Sequence, residues 1–429
     1  MEIFSINKTK ENPKMKRSKT KKTIAAALAV IACALAFSSC TMTTSPANLP
    51  VPSLLVEPEN TQPRPTESVA AEATTQIIAE PTDEAREQEI TPVEPFEPPK
   101  LYINTLTGLY TNLDATNLRP VAAVVDNSSG ALPHQSGLIG ADIIYETVTS
   151  PGTTRFLAIY SDYREMPDVC NLRAARAHDA KIAAMYNAVV ISHGGHTDKN
   201  PEYDFFAALG ELYGDESASV NSQRDIAWTA QNAEKFGTVR YFENGYRNDL
   251  KYETVLTSSA IEYTAEQRDI FGGTAENPIK ISSGAAAGEN ASGVTISFSA
   301  SGLYSPLEKK VSLRYSLSDG MYLRFEDGRP HVDSQSGEQL KFSNVIVLKT
   351  DIKYIEGDSD IDPLTADVSV YGSGTGYCLC GGKCATLVWV NTKDGGMKLY
   401  TPSGELELPA GNTYVAFVDR NNDSTITIE

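Results

Sequence analysis

Apolar positions between residues 101 and 260 fall into short runs separated by polar or helical sequence. Four runs predict strands buried on both faces: Pro120–Asp126, Ala141–Thr147, Thr154–Ser161 and Ala188–Ser192. Helical spacing predicts three helices, at Leu172–Asn187, Glu202–Tyr213 and Thr229–Phe236. Buried strands interleaved with helices indicate an α/β domain with a partly parallel, mixed sheet.

The pattern changes after Gly293, where apolar and polar residues begin to alternate over short spans. The predicted strands are Val294–Phe298, Lys310–Tyr315, Met321–Phe325, Val345–Thr350, Val368–Tyr371, Leu387–Val390, Lys398–Tyr400 and Thr413–Phe417. Asp327-Gly328, Asp394-Gly395 and Ser403-Gly404 supply turns between strands. We therefore predict a β-rich C-terminal domain over 293–429, joined by a flexible connection or insertion over 261–292 to the α/β domain over 103–260.

The first 39 residues have the order of a secretory signal. A basic stretch precedes the apolar run Thr23–Phe37, which ends in Ser38-Ser39-Cys40. Small residues directly before a Cys are typical of a lipoprotein signal, in which the Cys receives a diacylglycerol. We predict a signal peptide over 1–39 and lipidation at Cys40, which places the protein on the extracytoplasmic face of the cell membrane. The alternative is an uncleaved N-terminal anchor.

Residues 40–102 are predicted to be a disordered tether. Residues 41–100 contain eleven of the 23 prolines and few aromatic residues, so the segment cannot bury enough apolar area to order itself. The chain has a formal net charge of −18, and residues 1–39 carry eight basic and two acidic side chains, so the remainder is at −24. A chain this acidic repels nucleic acid and anionic lipid, which excludes a nucleic-acid partner.

Polar residues cluster where the predicted strands of the α/β domain end. Ligands of open α/β sheets normally bind at such ends, so we treat these residues as one candidate pocket. They are Asp126, Asn127, Gln135, Glu146, Arg155, Arg173, Arg176, His193, Gly194 and Gly195.

Arg173 and Arg176 follow Asn171, a suitable N-cap, so the pattern predicts that both lie on one face of the first turns of a helix. Cations oppose the helix dipole at this end, unless an anion is bound there. The anion is either a ligand or an internal carboxylate, Glu146 or Asp126.

His193 is a candidate general base or ligand donor, and otherwise a hydrogen-bonded residue at a strand end. His193, His196 and Asp198 on a glycine-rich loop are a weak metal signal, so we expect neither a metal nor another cofactor. The chain has no Gly-x-Ser-x-Gly motif, and Cys170 is alone.

Cys378, Cys380 and Cys384 surround a Gly-Gly turn. Outside the cytosol a disulfide between Cys380 and Cys384 is favoured over zinc, because the spacing does not suit a four-ligand site. Cys378 or Cys170 would remain, and the sequence does not assign the pairing.

The motifs at the strand ends resemble those of the YerB-like lipoproteins. The matching segments are Pro120–Asn127, Gln135–Leu138, Ala141–Glu146, Thr154–Ala158, Leu172–Arg176 and His193–Gly195, with looser matches at Tyr322–Arg324, Gly328, His331–Asp333 and Asn344–Val347. The resemblance implies two consecutive domains of unknown function behind a lipoprotein signal, and it supplies no reaction. Ala174 stands where we expect Ser in this family, which counts against a hydroxyl nucleophile.

These observations lead to three hypotheses about function. The first is a membrane-anchored binding or accessory protein of the cell envelope, whose anion-accepting pocket binds a cell-wall ligand or whose surface binds a wall enzyme. The second is an envelope hydrolase with His193 as base and Arg173 and Arg176 as an anion clamp. The third makes the polar cluster structural.

Overall fold

The computed structural model of the protein describes residues 99–214, 219–221, 255–256, 258–267, 269–282, 288–300, 307–356, 364–421 and 425–429. Its α-helices are α1 (Ala177–Ala184), α2 (Phe205–Tyr213) and α3 (Ser258–Gln267). None of the helices in these ranges has the length and apolar content needed to cross a bilayer.

Strands are far more common than helices among the described residues. In chain order they are β1 (Tyr102–Ile103), β2 (Tyr110–Thr111), β3 (Val121–Asn127), β4 (Ile143–Ser150), β5 (Thr153–Tyr160), β6 (Val169–Cys170), β7 (Val189–Ser192), β8 (Ser219–Asn221), β9 (Val255–Leu256), β10 (Lys280–Ser282), β11 (Glu289–Asn290), β12 (Gly293–Ala300), β13 (Leu307–Ser316), β14 (Met321–Glu326), β15 (Arg329–Pro330), β16 (Lys341–Phe342), β17 (Asn344–Thr350), β18 (Ile352–Glu356), β19 (Leu364–Val368), β20 (Gly372–Cys380), β21 (Lys383–Thr392), β22 (Gly396–Thr401), β23 (Gly404–Glu405), β24 (Glu407–Pro409), β25 (Thr413–Asp419) and β26 (Thr425–Ile428).

Twelve strands form one mixed sheet in the order β23-β22-β21-β20-β17-β25-β4-β5-β3-β7-β8, with β11 paired to β21. The pairs β17/β25, β25/β4, β3/β7 and β7/β8 are parallel, and the other pairs along this order are antiparallel. The central strands β3, β4 and β25 are buried along their whole length, which explains their nearly continuous apolar sequence. The predicted partly parallel sheet is confirmed.

The sheet contains strands from both halves of the chain. β25 lies parallel to β4, with Thr413 opposite Ile143 and Ala416 opposite Glu146. The described residues between Lys100 and Glu429 accordingly form one compact unit. The domain boundaries drawn from sequence stay a prediction, and both predicted domains contribute to the same sheet.

A second, antiparallel sheet has the strand order β15-β14-β13-β12-β26, and β16 pairs with β14. The turn between β14 and β15 is the predicted Asp327-Gly328 turn, and both residues have positive φ. The C-terminal part is therefore rich in β-structure, as expected, and its strands divide between two sheets.

Some helices begin later than the sequence pattern predicts. The helix predicted over Leu172–Asn187 is only α1, which begins at Ala177. α2 begins after Asp204, whose carboxylate accepts a hydrogen bond from the N–H of Ala207 at 2.7 Å. The predicted helix Thr229–Phe236 lies outside the described residues. Because helices are few among the described residues, the predicted α/β character holds only in part.

One expectation for the middle of the chain needs correction. Residues 261–292, predicted as a flexible connection or insertion, include most of α3 and the strands β10 and β11. The glycine-rich run Gly372–Gly376 is part of β20. A Cβ on Gly374 would lie 2.5 Å from the indole nitrogen of Trp389, so glycine lets this buried side chain cross the strand.

Candidate functional site

The ends of β3 and β7 diverge, and the chain itself fills the space between them. The two strands pair through residues 121–123 and 189–191. Beyond that point the extended segment 171–175 lies between them. The N–H of Arg173 donates to Val124 O at 2.9 Å, and the N–H of His193 donates to Arg173 O at 3.0 Å. The crevice that we predicted as a pocket is thus largely occupied by backbone.

This segment corrects the prediction that Arg173 and Arg176 share a helix face. Its backbone groups hydrogen-bond to the strand ends and so do not form a helix. The helix begins only after Arg176, whose N–H donates to the carboxylate of Asp179 at 2.7 Å. Residues three apart in an extended segment point to opposite faces. Arg173 therefore pairs with Asp126 at 2.8 Å, while Arg176 donates to the hydroxyl of Thr365 at 2.9 Å. The two guanidinium groups do not form a common clamp.

The rim of the filled crevice is formed by Asp126, Arg173 and His193. Burial alone would raise the pKa of Asp126, but the charge of Arg173 and the N–H of Ser128 outweigh it and hold the pKa below its usual value. Burial and the neighbouring Arg173 lower the pKa of His193, so its imidazole is neutral at pH 7. Arg173 and His193 are partly exposed, whereas Asp126 is buried.

Positive charge exceeds negative charge behind this rim. Arg155 lies opposite Asp126 on the neighbouring strand, and its guanidinium donates to the carbonyl of Ala174. Asp179 is fully buried, which raises its pKa to about 6, and the charges of Arg155 and Arg176 oppose that shift. Arg155 and Arg173 thus place two guanidinium groups beside the single carboxylate of the rim, Asp126.

Glu146 belongs to a different and closed environment. Its carboxylate is fully buried and accepts hydrogen bonds from Asn127 at 2.9 Å, Thr154 at 2.7 Å and Tyr414 at 2.6 Å. Arg324 completes the set at 2.8 Å. Every one of these partners is a protein group, so Glu146 is satisfied without a ligand.

Arg324 extends the cluster into the second sheet. Its guanidinium is fully buried, contacts Glu326 at 3.2 Å and lies 5.0 Å from the ring centroid of Phe156. Lys309 pairs with Glu326 at 2.6 Å and also donates to the backbone carbonyl of Asn127. Two basic and two acidic groups balance, which is how charges are tolerated in an interior. We call Glu146, Arg324, Glu326 and Lys309 the buried charge cluster.

His331 and Gln135 close one side of this cluster. The Nδ1 atom of His331 accepts from Arg324, and its Nε2 atom lies 2.5 Å from Oε1 of Gln135. Gln135 in turn donates to Asn127 at 3.2 Å. Burial and the charges of Arg324 and Lys309 lower the pKa of His331 well below its usual value, so the ring is neutral. Asn127, Gln135 and Glu146 are therefore buried structural groups.

The sequence pattern missed the half of this cluster that β14 contributes. Met321, Leu323 and Phe325 alternate with polar residues, which predicts that the apolar set faces inward. The structure has the opposite face buried, with Tyr322, Arg324 and Glu326 inside. Only the looser C-terminal motifs, which contain Arg324 and His331, pointed to these residues.

The remaining candidate residues are structural or line no large cavity. Gly194 has a φ of +83°, and a Cβ on Gly195 would lie 2.3 Å from the Phe205 ring. Arg176 lines a cavity of about 10 Å³, room for about one water molecule. A cleft of about 930 Å³ lies elsewhere, between residues 103–108, 277–282 and 407–410. In the described ranges, no three His, Cys, Asp or Glu side chains are grouped to hold a metal ion.

The cysteine hairpin argues against the predicted disulfide. Cys380 is opposite Lys383 and Leu379 is opposite Cys384 across the turn Gly381-Gly382. Side chains directly opposite one another share a face, so Cys380 and Cys384 point to opposite faces of the hairpin. Burial raises the pKa of the Cys384 thiol to about 11. Residues 380 and 384 thus lack the geometry of a bonded pair.

Comparisons with known proteins match this chain over both halves. Residues 106–243 match the N-terminal domain, and residues 302–415 the C-terminal domain, of "Protein of unknown function (DUF3048)". "Putative lipoprotein YerB" of Bacillus subtilis (strain 168) is 24% identical over 306 residues, which cover 69% of this chain and 82% of that protein. The crystal structure of the YerB protein from Bacillus subtilis superposes with a TM-score of 0.59 at 21% identity, covering 76% of this chain and 99% of that one.

Removing the hydroxyl of Tyr414 tests the closed environment of Glu146. Tyr414→Phe deletes one hydrogen bond to a buried carboxylate, which is expected to lower the free energy of unfolding by about 1.5–3 kcal/mol. Urea unfolding measures the loss. The control is Tyr110→Phe, since the Tyr110 side chain is 74% exposed. Equal effects of the two changes would contradict the closed network.

The neutral, buried His331 predicts a pH dependence of stability. The unfolded chain binds a proton at this residue below its ordinary pKa of 6.5, whereas the folded chain does not. The contribution of His331 is therefore fully present above pH 6.5 and is lost as the pH falls. His331→Gln keeps one donor and one acceptor, and should reduce the slope between pH 6.5 and 5 by about 1.4 kcal/mol per pH unit.

Unfolding of both chains across this pH range is the measurement. His134→Gln is the control because His134 is exposed, and it should leave the slope unchanged. Identical slopes for His331→Gln and the unmodified chain would show that His331 does not resist protonation.

Proposed function

The chain belongs to the YerB-like family, whose members are built from the two DUF3048 domains, and on that premise we propose that it is a lipid-anchored binding protein of the bacterial cell envelope. The anchor is the acylated Cys40, on the extracytoplasmic face of the cell membrane. The basic and apolar residues before Cys40 support this location, as does the lipoprotein name of the Bacillus subtilis relative.

The proposed ligand surface is the rim at Arg173, with His193 and Arg155 beside it. The observation that carries it is that two guanidinium groups, Arg155 and Arg173, lie beside one carboxylate, Asp126, at a partly exposed position of a strongly acidic chain. Such a surface attracts an anionic group, because an arginine offers several aligned N–H donors. A carboxylate or phosphate of a cell-wall component has this chemistry. The surface would hold that component, or present it to a wall enzyme.

A hydrolase remains the second candidate because His193 is neutral at pH 7 and so can accept a proton. In such a reaction His193 would be assisted only by Arg173, since Arg176 points away from this surface. Incubation with a soluble muropeptide distinguishes the two functions. A hydrolase releases fragments, and His193→Gln abolishes the release without lowering the melting temperature, whereas a binding protein releases none.

The lipid anchor is tested by the mass of the N-terminus in membranes of the expressing cell. The expected mature chain begins at Cys40 and carries acyl groups. Cys40→Ser should retain its leader and take up no labelled palmitate, because the serine cannot form the thioether. An unmodified full-length chain in the membrane would instead support an uncleaved anchor and contradict the proposal.

The ligand surface is tested by calorimetric titration with a soluble, carboxylate-bearing muropeptide and, separately, with inorganic phosphate. Arg173→Gln should weaken binding about tenfold or more, since one charge-assisted bond is lost. Arg420→Gln is the control, because Arg420 pairs with Asp351 at the surface. If Arg173→Gln lowers the melting temperature but neither probe binds the unmodified chain, the rim is structural and the proposal fails.

A further inference from the structure

A two-stranded ribbon at the start of the described unit exposes a group of apolar side chains. In β1 and β2, Ile103 lies opposite Tyr110, and Leu101 is two residues before Ile103. Because residues directly opposite one another share a face, Ile103 and Tyr110 project from the same face of the ribbon. We call these two residues, with Leu101 just before β1, the ribbon face. Their exposed fractions are 54% for Leu101, 62% for Ile103 and 74% for Tyr110.

The exposure is concentrated on the ribbon. Within the part of the chain that the structure describes, six large apolar residues are exposed, and four of them lie between Leu101 and Tyr110. The other two, Leu317 and Val332, lie in connections of the second sheet, after β13 and after β15. Single exposed apolar residues are ordinary, whereas a group of them marks an interaction surface.

The charge of the ribbon differs from that of the rest of the chain. No Asp or Glu occurs between Lys100 and Leu113, although the chain as a whole has a net charge of −18. The ammonium group of Lys100 lies 4.7 Å from the ring centroid of Tyr102, so one positive charge is held at the ribbon. Asp114, just beyond this run, interacts with Lys100, so the ribbon carries little net charge. Repulsion from anionic lipid is reduced there, because charges beyond about 8 Å are largely screened.

The position of the ribbon in the chain points to its partner. It is the first element of the described unit, and the preceding residues lead back to Cys40. We propose that the ribbon face binds the outer surface of the lipid membrane, with Leu101 and Ile103 among the upper acyl chains and the Tyr110 hydroxyl at the headgroups. Aliphatic side chains with a tyrosine beside them suit this boundary. The inference rests on the proposed anchor, which makes a weak contact effective by tethering.

Tryptophan placed on the ribbon reports whether it enters lipid. The acylated full chain with Tyr110→Trp is bound to vesicles of phosphatidylethanolamine and phosphatidylglycerol, with and without brominated acyl chains. The added emission, relative to the unmodified chain with Trp228 and Trp389, should shift to the blue and be quenched by bromine. Leu317→Trp is the control, since Leu317 is 91% exposed on another turn and should show neither effect.

A second substitution separates lipid contact from a local change. Ile103→Glu, added to Tyr110→Trp, should shift the balance between lipid-inserted and free ribbon about tenfold toward the free form, because it removes apolar area and adds a charge. Equal quenching of Tyr110→Trp and Leu317→Trp on vesicle-bound chains would overturn the proposal. A blue shift without vesicles that grows with protein concentration would assign the ribbon face to a second copy, and also overturn it.

Failure of the anchor is recognised separately. Flotation with vesicles, abolished by Cys40→Ser, reports the anchor, whereas emission from position 110 reports the ribbon. If the unmodified chain does not float, the anchor fails. Titration of the same Tyr110→Trp chain with excess vesicles then tests lipid contact by the ribbon separately. A blue shift supports that contact, and its absence overturns it.

Discussion

The ion pair between Glu146 and Arg324 is the contact on which the rest of the structure depends. Glu146 lies on a strand of the N-terminal half and Arg324 on a strand of the C-terminal half, and both are fully buried. Removing two charges from water is costly, and the cost is offset only when each charge is paired and hydrogen-bonded. Glu326 and Lys309 balance the charge and Tyr414 supplies a further bond, so this register of the two halves leaves each buried charge paired.

This constraint explains which features could be predicted from the sequence. The four strands of the N-terminal half have continuous apolar sequence because both of their faces are buried, and the pattern located each of them. The pattern does not predict which face of β14 is buried, because its charged face points inward, where Glu146 neutralises Arg324. That partner is 178 residues away along the chain, and no local period reports it. Arg173 and Arg176 were misplaced for a related reason, since strand ends took the backbone bonds that a helix would need.

The same features divide the candidate residues into two classes. In the first class, Asn127 hydrogen-bonds to both Gln135 and Glu146, and Glu146 pairs with Arg324 of the second sheet. These residues contribute to stability. Arg173 and His193 remain at the rim of a crevice that the chain fills, and Arg155 stands behind them. A charge-balanced interior with a small positive rim is better suited to a binding protein than to an enzyme, which would need a deep catalytic pocket. The apolar ribbon adds a second surface, at the end of the unit from which the chain leads back to Cys40.

A double-mutant cycle between Glu146 and Arg324 tests the central claim most directly. Glu146→Gln, Arg324→Met and the double variant are unfolded in urea alongside the unmodified chain. Either single change unbalances the buried charges of the cluster, whereas the double change removes one charge of each sign. The account predicts that the double variant loses clearly less stability than the sum of the two single losses, with a coupling of about 1–3 kcal/mol. Additive losses would contradict it, because they would mean that the two halves are held together without this pair.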